Sequence, residues 1–198
     1  MISARENILK NVRNSGLPPK NKPEVPDFPS LSTADFIPQF RRGLEGMAGV
    51  LLDQRPTDFG AFLKKTFSEA KNFCSAVPEF QGNSTPDDYS NWTEAGNIDV
   101  AIVRSPMGIA ETGSVLLSET DLRVNTIGFL AHDIVVLLDP ADIVENVHIA
   151  YRHPAFCTTG YSVLMTGPSG SGDIGGQVVH PAQGVMTLTV VFWPRTTQ

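Results

Sequence analysis

The sequence predicts an α/β fold with a mostly parallel sheet, on two observations. From residue 98 onward, short apolar runs recur: Ile98-Asp99-Val100-Ala101-Ile102-Val103, Gly113 to Leu117, and His132-Asp133-Ile134-Val135-Val136-Leu137-Leu138. Runs this continuous suit strands covered on both faces, the setting of parallel sheet. Segments with apolar residues three and four apart alternate with them, so helices and strands take turns along the chain.

Taken in order, Ser3-Ala4-Arg5-Glu6 is a capping-box pattern, and Ile8, Leu9 and Val12 follow at helical spacing, which predicts a helix over 4–14. Five prolines in residues 16–29 then predict an extended linker, because proline fixes φ and removes a donor. The chain is thereby divided into an N-terminal helix with its linker, residues 1–30, and an α/β domain, residues 31–198. Ser32 or Thr33 is placed to cap a second helix carrying Phe36, Ile37, Phe40, Leu44 and Met47. Gly49 to Leu52 reads as a strand, Asp58 to Ala70 as a helix with Phe59, Phe62, Leu63 and Phe67 on one face, and Asn72 to Ser75 as a strand. Residues 81–97 are polar and turn-rich, a surface segment or lid. After the strand ending at Leu138, Asp139-Pro140 has the form of a helix start, with Ile143, Val144 and Val147 directed to the core. Tyr161 to Met165 and Met186 to Trp193 are the closing strands.

Composition excludes several functions. The chain has 198 residues, enough for one compact domain with an appended arm. Its 15 Lys and Arg stand against 21 Asp and Glu, and this balance argues against nucleic acid or an anionic membrane surface as the main partner. No run approaches the roughly 20 apolar residues of a membrane span. Two cysteines, Cys74 and Cys157, form no CxxC pair and cannot hold an iron–sulfur cluster, which takes four thiolates. A reducing cytoplasm is the expected setting, since the polar N-terminus lacks the apolar core of a signal peptide.

Two segments carry the chemistry. In Gly108-Ile109-Ala110-Glu111-Thr112-Gly113-Ser114, small residues surround one carboxylate beside an apolar strand. Glu111 is the candidate catalytic group, as a general base or as an acceptor for a substrate hydroxyl; the competing reading has it only fixing its loop. Thr112 and Gly113 beside it are candidate ligand contacts. The second segment, Thr166 to Gly176, has five glycines in eleven residues, whose amides can form an anion-binding nest. Its candidate ligand contacts are Gly167, Ser169, Gly170 and Asp173, with His180 shortly after. The competing reading is a flexible loop in which Asp173 caps a helix starting at Ile174. The segment is neither a Walker A loop nor a GxGxxG fingerprint. His132, His148, His153 and His180 are too scattered for a metal motif, so no metal and no cofactor is expected. Ser169 and Ser171 lack the GxSxG elbow of a serine hydrolase.

Together these residues resemble the LUD domain of the lactate utilization protein C family. Ile109-Ala110-Glu111-Thr112-Gly113-Ser114, His132-Asp133-Ile134-Val135-Val136, Asp142-Ile143-Val144, and Gly167-Pro168-Ser169 with Asp173-Ile174 match the family pattern in order and rough spacing, over about residues 98–193. After Gly-Pro-Ser the family pattern runs Arg-Thr-Ala-Asp-Ile-Glu, whereas this chain reads Gly170-Ser171-Gly172-Asp173-Ile174-Gly175. An anion-pairing arginine is therefore missing. The resemblance implies a three-layer sandwich like that of sugar-phosphate isomerases and CoA transferases. It also implies work with iron–sulfur lactate-oxidation proteins in converting L-lactate to pyruvate. On that expectation the chain is a non-cluster subunit that binds a small carboxylate or a partner beside Glu111 and Asp173. The alternatives are a stand-alone acyl or CoA transferase-like enzyme using Glu111, or a non-catalytic interaction module. The oligomeric state stays open.

Overall fold

A computed structural model describes residues 3–16, 32–89, 92–173 and 175–195. Most of the proline-rich linker, from residue 17 to 29, and Ile174 lie outside the described residues. The chain divides into two compact units, Met1–Ser30 and Leu31–Gln198.

The first unit contains helix α1, Ala4–Asn14. Its capping box forms as the sequence predicts: the Glu6 amide donates to Ser3 Oγ at 3.2 Å, and the Ser3 amide donates to Glu6 Oε2 at 2.8 Å. These bonds hold the Glu6 carboxyl below its ordinary pKa.

The second unit contains two sheets. In chain order its elements are α2 (Phe36–Gly46), β1 (Val50–Leu52), α3 (Phe59–Thr66), β2 (Phe73–Ser75), β3 (Val100–Ser105), β4 (Gly108–Ile109), β5 (Ser114–Ser118), α4 (Glu119–Leu122), α5 (Ile127–Leu130), β6 (Asp133–Leu138), β7 (Ile143–Val144), α6 (Val147–Ala150), α7 (Pro154–Cys157), β8 (Ser162–Met165) and β9 (Thr187–Phe192). The central sheet has five strands, all parallel, in the order β1-β9-β6-β3-β2. Strand β1 lies at one edge, the chain crosses to β2 at the other, and β3, β6 and β9 fill the space between.

The two crossovers on the way back build the second sheet. Strands β4 and β5 come from the passage between β3 and β6, and β7 and β8 from the passage between β6 and β9. They combine in the order β7-β4-β5-β8, with β4–β5 and β5–β8 antiparallel. A helix layer, the parallel sheet and this second layer give the three-layer α/β sandwich.

Alternation along the strands sorts the core. Val100, Ile102, Val135, Leu137 and Val191 meet Phe59 and Leu63 of α3 on one face. Ala101, Val103, Ile134, Val136 and Val190 meet Phe40 and Leu44 of α2 and Val115 and Leu117 of β5 on the other. Met107, Ile109 and Leu116 point the opposite way, toward Ala150 and Phe156.

Four expectations need correction. The run Gly113–Leu117 lies in a buried strand, but its neighbours are antiparallel; it is buried throughout because both faces of the second sheet are covered. No long helix follows Asp139: its side chain accepts from the Ala141 amide at 3.0 Å and caps only a short 3-10 turn, Pro140–Asp142. The β-branched Ile143 and Val144 then pair with β4 as β7. Helix α3 ends at Thr66, four residues short of Ala70. At the start of α2, Ser32 makes no capping side-chain bond and a 3-10 turn, Thr33–Asp35, leads in.

The turn-rich segment over 81–97 is tied to β2. The Ser75 amide donates to the Ser84 carbonyl at 2.9 Å, and Tyr89 Oη meets Asn72 Nδ2 and Ser84 Oγ, both at 2.9 Å.

Candidate functional site

The two chemistry-bearing segments are strand ends of the second sheet, and the antiparallel pairing of β5 with β8 brings them side by side. Residues 110–113 form the turn of the β4–β5 hairpin. Gly113 occupies a left-handed conformation at φ 69°, and its amide donates to the Ile109 carbonyl at 2.9 Å. Thr112 Oγ1 lies 2.7 Å from Ser114 Oγ, which lies 2.7 Å from Thr166 Oγ1. This chain of three hydroxyls joins the end of β8 to the hairpin. Ser114 is buried, and its hydroxyl has found partners accordingly.

Helix α2 and the turn after it press on this seam backbone to backbone. A Cβ on Gly113 would fall 2.0 Å from the Leu44 amide nitrogen, and one on Gly43 would fall 2.6 Å from that of Gly113. A Cβ on Gly167 would fall 2.1 Å from the Met47 carbonyl oxygen. Gly113 and Gly167 are thus required for close packing. The sequence held a signal for this contact, since Gly43 interrupts an otherwise apolar-periodic helix where glycine is unfavourable. Ser114, Thr166 and Gly43 are the seam residues that the motif reading passed over.

Glu111 is exposed and leans the other way. Its amide donates to the Glu145 carbonyl at 3.0 Å, and its Oε2 accepts from the Val147 amide at 3.0 Å. It therefore satisfies the first turn of α6 alongside Asn146, which accepts from Ile149 at 3.0 Å. Glu111→Gln keeps an acceptor there and is expected to change stability by less than about 1 kcal/mol, which thermal unfolding would check.

The glycine-rich segment folds back on itself. Ser171 and Val179 exchange backbone bonds of 3.3 and 3.0 Å, and the Ser169 carbonyl and hydroxyl accept from the amides of Ala182 and Gln183 at 2.9 and 3.1 Å. Gly170 lies against the His180 ring, where a Cβ would be 2.7 Å from Cε1. Asp173 is exposed, and its amide donates to Ser171 Oγ at 3.4 Å. Thr112, Gly113 and Gly167 thus meet in the seam, and Ser169, Gly170 and His180 meet in the returning loop. Glu111 turns toward α6, and Asp173 sits in the turn region of the returning loop.

The other histidines and the cysteines have local roles. His132 Nδ1 lies 2.8 Å from Asp133 Oδ2, and His153 Nδ1 accepts from the Ala155 amide at the start of α7. Burial pushes the Cys74 thiol up to about 11, so it stays protonated near neutral pH. Cys157 is exposed, with Sγ 3.0 Å from the Tyr151 carbonyl oxygen. No group of three or more His, Cys, Asp or Glu suited to a metal ion occurs among the described residues. No helix among them is long and apolar enough to cross a membrane.

A second collection of charge lies at the carboxyl ends of the parallel strands, the edge at which open α/β sheets bind ligands. Arg104 of β3 pairs with Glu79 and donates to the Trp193 carbonyl at 3.3 Å, while Arg55 lies over the Trp193 ring at 5.0 Å. Arg195 donates its amide to Asp139 at 2.7 Å, and its guanidinium forms an ion pair with Asp142 at 2.7 Å. Burial raises the Asp142 carboxyl, against the opposing charge of Arg195. Burial also pushes Asp139 upward, but the amides of Arg195 and Ala141 and the charges of Arg195 and Arg104 outweigh it, leaving the carboxyl below its ordinary value. A carboxyl lowered in the folded state contributes stability above the unfolded pKa, and that stability is lost as pH falls through the folded one. Asp139→Asn is therefore expected to lower stability by about 1 kcal/mol at pH 7, the gap closing below about pH 4. Urea unfolding at a series of pH values measures it.

No family profile matches this sequence, and no curated protein is similar to it. Among solved structures, a DUF162 family protein from Deinococcus radiodurans is similar in fold, with a TM-score of 0.62 at 15% sequence identity. The match covers 82% of this chain and 98% of that one. At this identity the likeness establishes the fold: the α/β sandwich with its central parallel sheet is shared with a DUF162 family protein.

Proposed function

We propose that this chain is the non-cluster subunit of a system that oxidises L-lactate to pyruvate with iron–sulfur partner proteins. The observation that supports this reading most is the meeting of the two LUD-like segments, 109–114 and 166–173, at one seam of a fold shared with a DUF162 protein, DUF162 being the LUD domain family.

Of the two roles expected for the seam, docking a partner is better supported than holding a small carboxylate. Residues 106–118 and 159–185 contain no Lys or Arg, while Glu111 and Asp173 are both exposed. These two segments offer an anion hydroxyls and amides but no Lys or Arg of their own, and each carries one exposed carboxylate. The Glu111 carboxylate is engaged at Oε2 by the Val147 amide, a capping contact that supports a structural over a nucleophilic role.

The test is to delete the gene in its host during growth on L-lactate, and to isolate the tagged native protein anaerobically from the parent strain. The reading expects lost lactate-dependent growth and co-isolation of cysteine-rich proteins with iron–sulfur absorbance. Unimpaired growth together with a partner-free protein would refute it.

A further inference from the structure

We propose that the groove between α3 and residues 80–83 binds a small organic anion with an apolar body, an acyl or aryl carboxylate, at a site separate from the seam. The groove encloses about 560 Å³, within the usual range of ligand pockets. Its apolar surface comes from Phe67, Phe73 and Phe80, and Lys64 and Lys71 stand at its rim.

The floor is built rather than incidental. Phe73 and Phe80 meet edge to face with centroids 6.2 Å apart, and Phe80 meets Phe59 at 5.9 Å. The far wall is pinned to β2: Asn83 accepts from the Phe73 amide at 2.7 Å and donates to the Lys71 carbonyl at 2.8 Å. Gly82 lies so close that a Cβ there would be 2.2 Å from the Phe73 carbonyl oxygen. A ligand would meet a preformed surface and have little ordering cost to overcome.

Charge selects the occupant. Residues 31–198 hold ten Lys and Arg against eighteen Asp and Glu, yet all three lysines of that span, Lys64, Lys65 and Lys71, fall within eight residues. The arginines Arg41, Arg104, Arg123 and Arg195 are each paired with carboxylates, whereas no carboxylate among the described residues lies within ion-pair distance of Lys64 or Lys71. Two ammonium groups that form no salt bridge among the described residues, Lys71 being near enough to Asp99 to help lower that carboxyl, stand beside an aromatic floor and complement a carboxylate attached to an apolar body. An adjoining groove shares Phe67, Ser68 and Ala70 but carries three carboxylates, Glu69, Asp99 and Asp133, against the single imidazole of His132. That end repels an anionic head group and so orients it toward the lysines.

The experiment titrates the full chain with 2-naphthoate and with its neutral analogue 2-naphthalenemethanol, by calorimetry and saturation-transfer NMR. Saturable binding of the carboxylate is expected, with the alcohol about fivefold weaker. The double variant Lys64→Gln/Lys71→Gln should lose about the same factor for the carboxylate and nothing for the alcohol, while Lys65→Gln, at a lysine outside the lining, stays at wild-type affinity. Equal affinity for the two compounds, an unaffected double variant, or no saturation up to about 10 mM would each overturn the proposal.

Discussion

Gly113→Ala is expected to destabilise the protein by at least about 3 kcal/mol, because this glycine combines a left-handed backbone with a close backbone neighbour. Two costs combine. At φ 69° an L side chain pays the left-handed penalty of roughly 1–2 kcal/mol. The new Cβ would also stand 2.0 Å from the Leu44 amide nitrogen, so α2 must move away from the hairpin turn. Urea denaturation against Gly172→Ala provides the comparison, because nothing lies within 4 Å of a Cβ at Gly172. That control should stay within about 1 kcal/mol of wild type. Equal losses in the two variants would show that the close packing of α2 on the hairpin does not govern stability.

Phe40→Ala is expected to cost about 3–5 kcal/mol, as ring deletions at fully buried sites do. Phe40 is wholly buried on α2, with its ring centroid 6.1 Å from that of Phe192 on β9. A Cβ on Gly108 of β4 would come 3.1 Å from the same ring, so Phe40 touches both sheets at once. Its removal leaves a cavity between two layers that cannot both collapse into it. A loss under about 1.5 kcal/mol in the same denaturation assay would mean that the layers do close over the gap. These two substitutions test one idea from opposite sides: α2 is the element that clamps the signature segments to the parallel sheet.

Much of this arrangement was legible along the chain. Strands at 100–105 and 133–138 follow from apolar runs of the right length, that at 187–192 from its alternation, and α1 from its capping box. Helix α2 follows from the spacing of Phe40 and Leu44. Two of the misreadings share one cause. Gly113–Leu117 and Asp139–Val147 are apolar in ways that suit either a parallel strand or a helix, and periodicity cannot distinguish these from strands of a second sheet. The site divides in the same manner. The segments around Glu111 and Asp173 announced themselves by composition, and Gly43 by interrupting a helical pattern, but Ser114 and Thr166 carry no signal that becomes meaningful before their partners are known.

By itself the sequence determined what each stretch of chain is locally able to be: where helices start, which runs must be buried, and which functions the acidic balance disfavours. Those properties rest on neighbouring residues and on overall charge, and a linear reading contains both. Only the tertiary structure decided what the two glycine-bearing segments do. The β5–β8 pairing places Ser114 against Thr166 across fifty-two positions of sequence, α2 seats its own backbone on Gly113, and Glu111 is turned to the amide of Val147. Such contacts depend on the register and layering of distant elements. A carboxylate beside glycine reads the same along the chain whether it faces a ligand or caps the next helix.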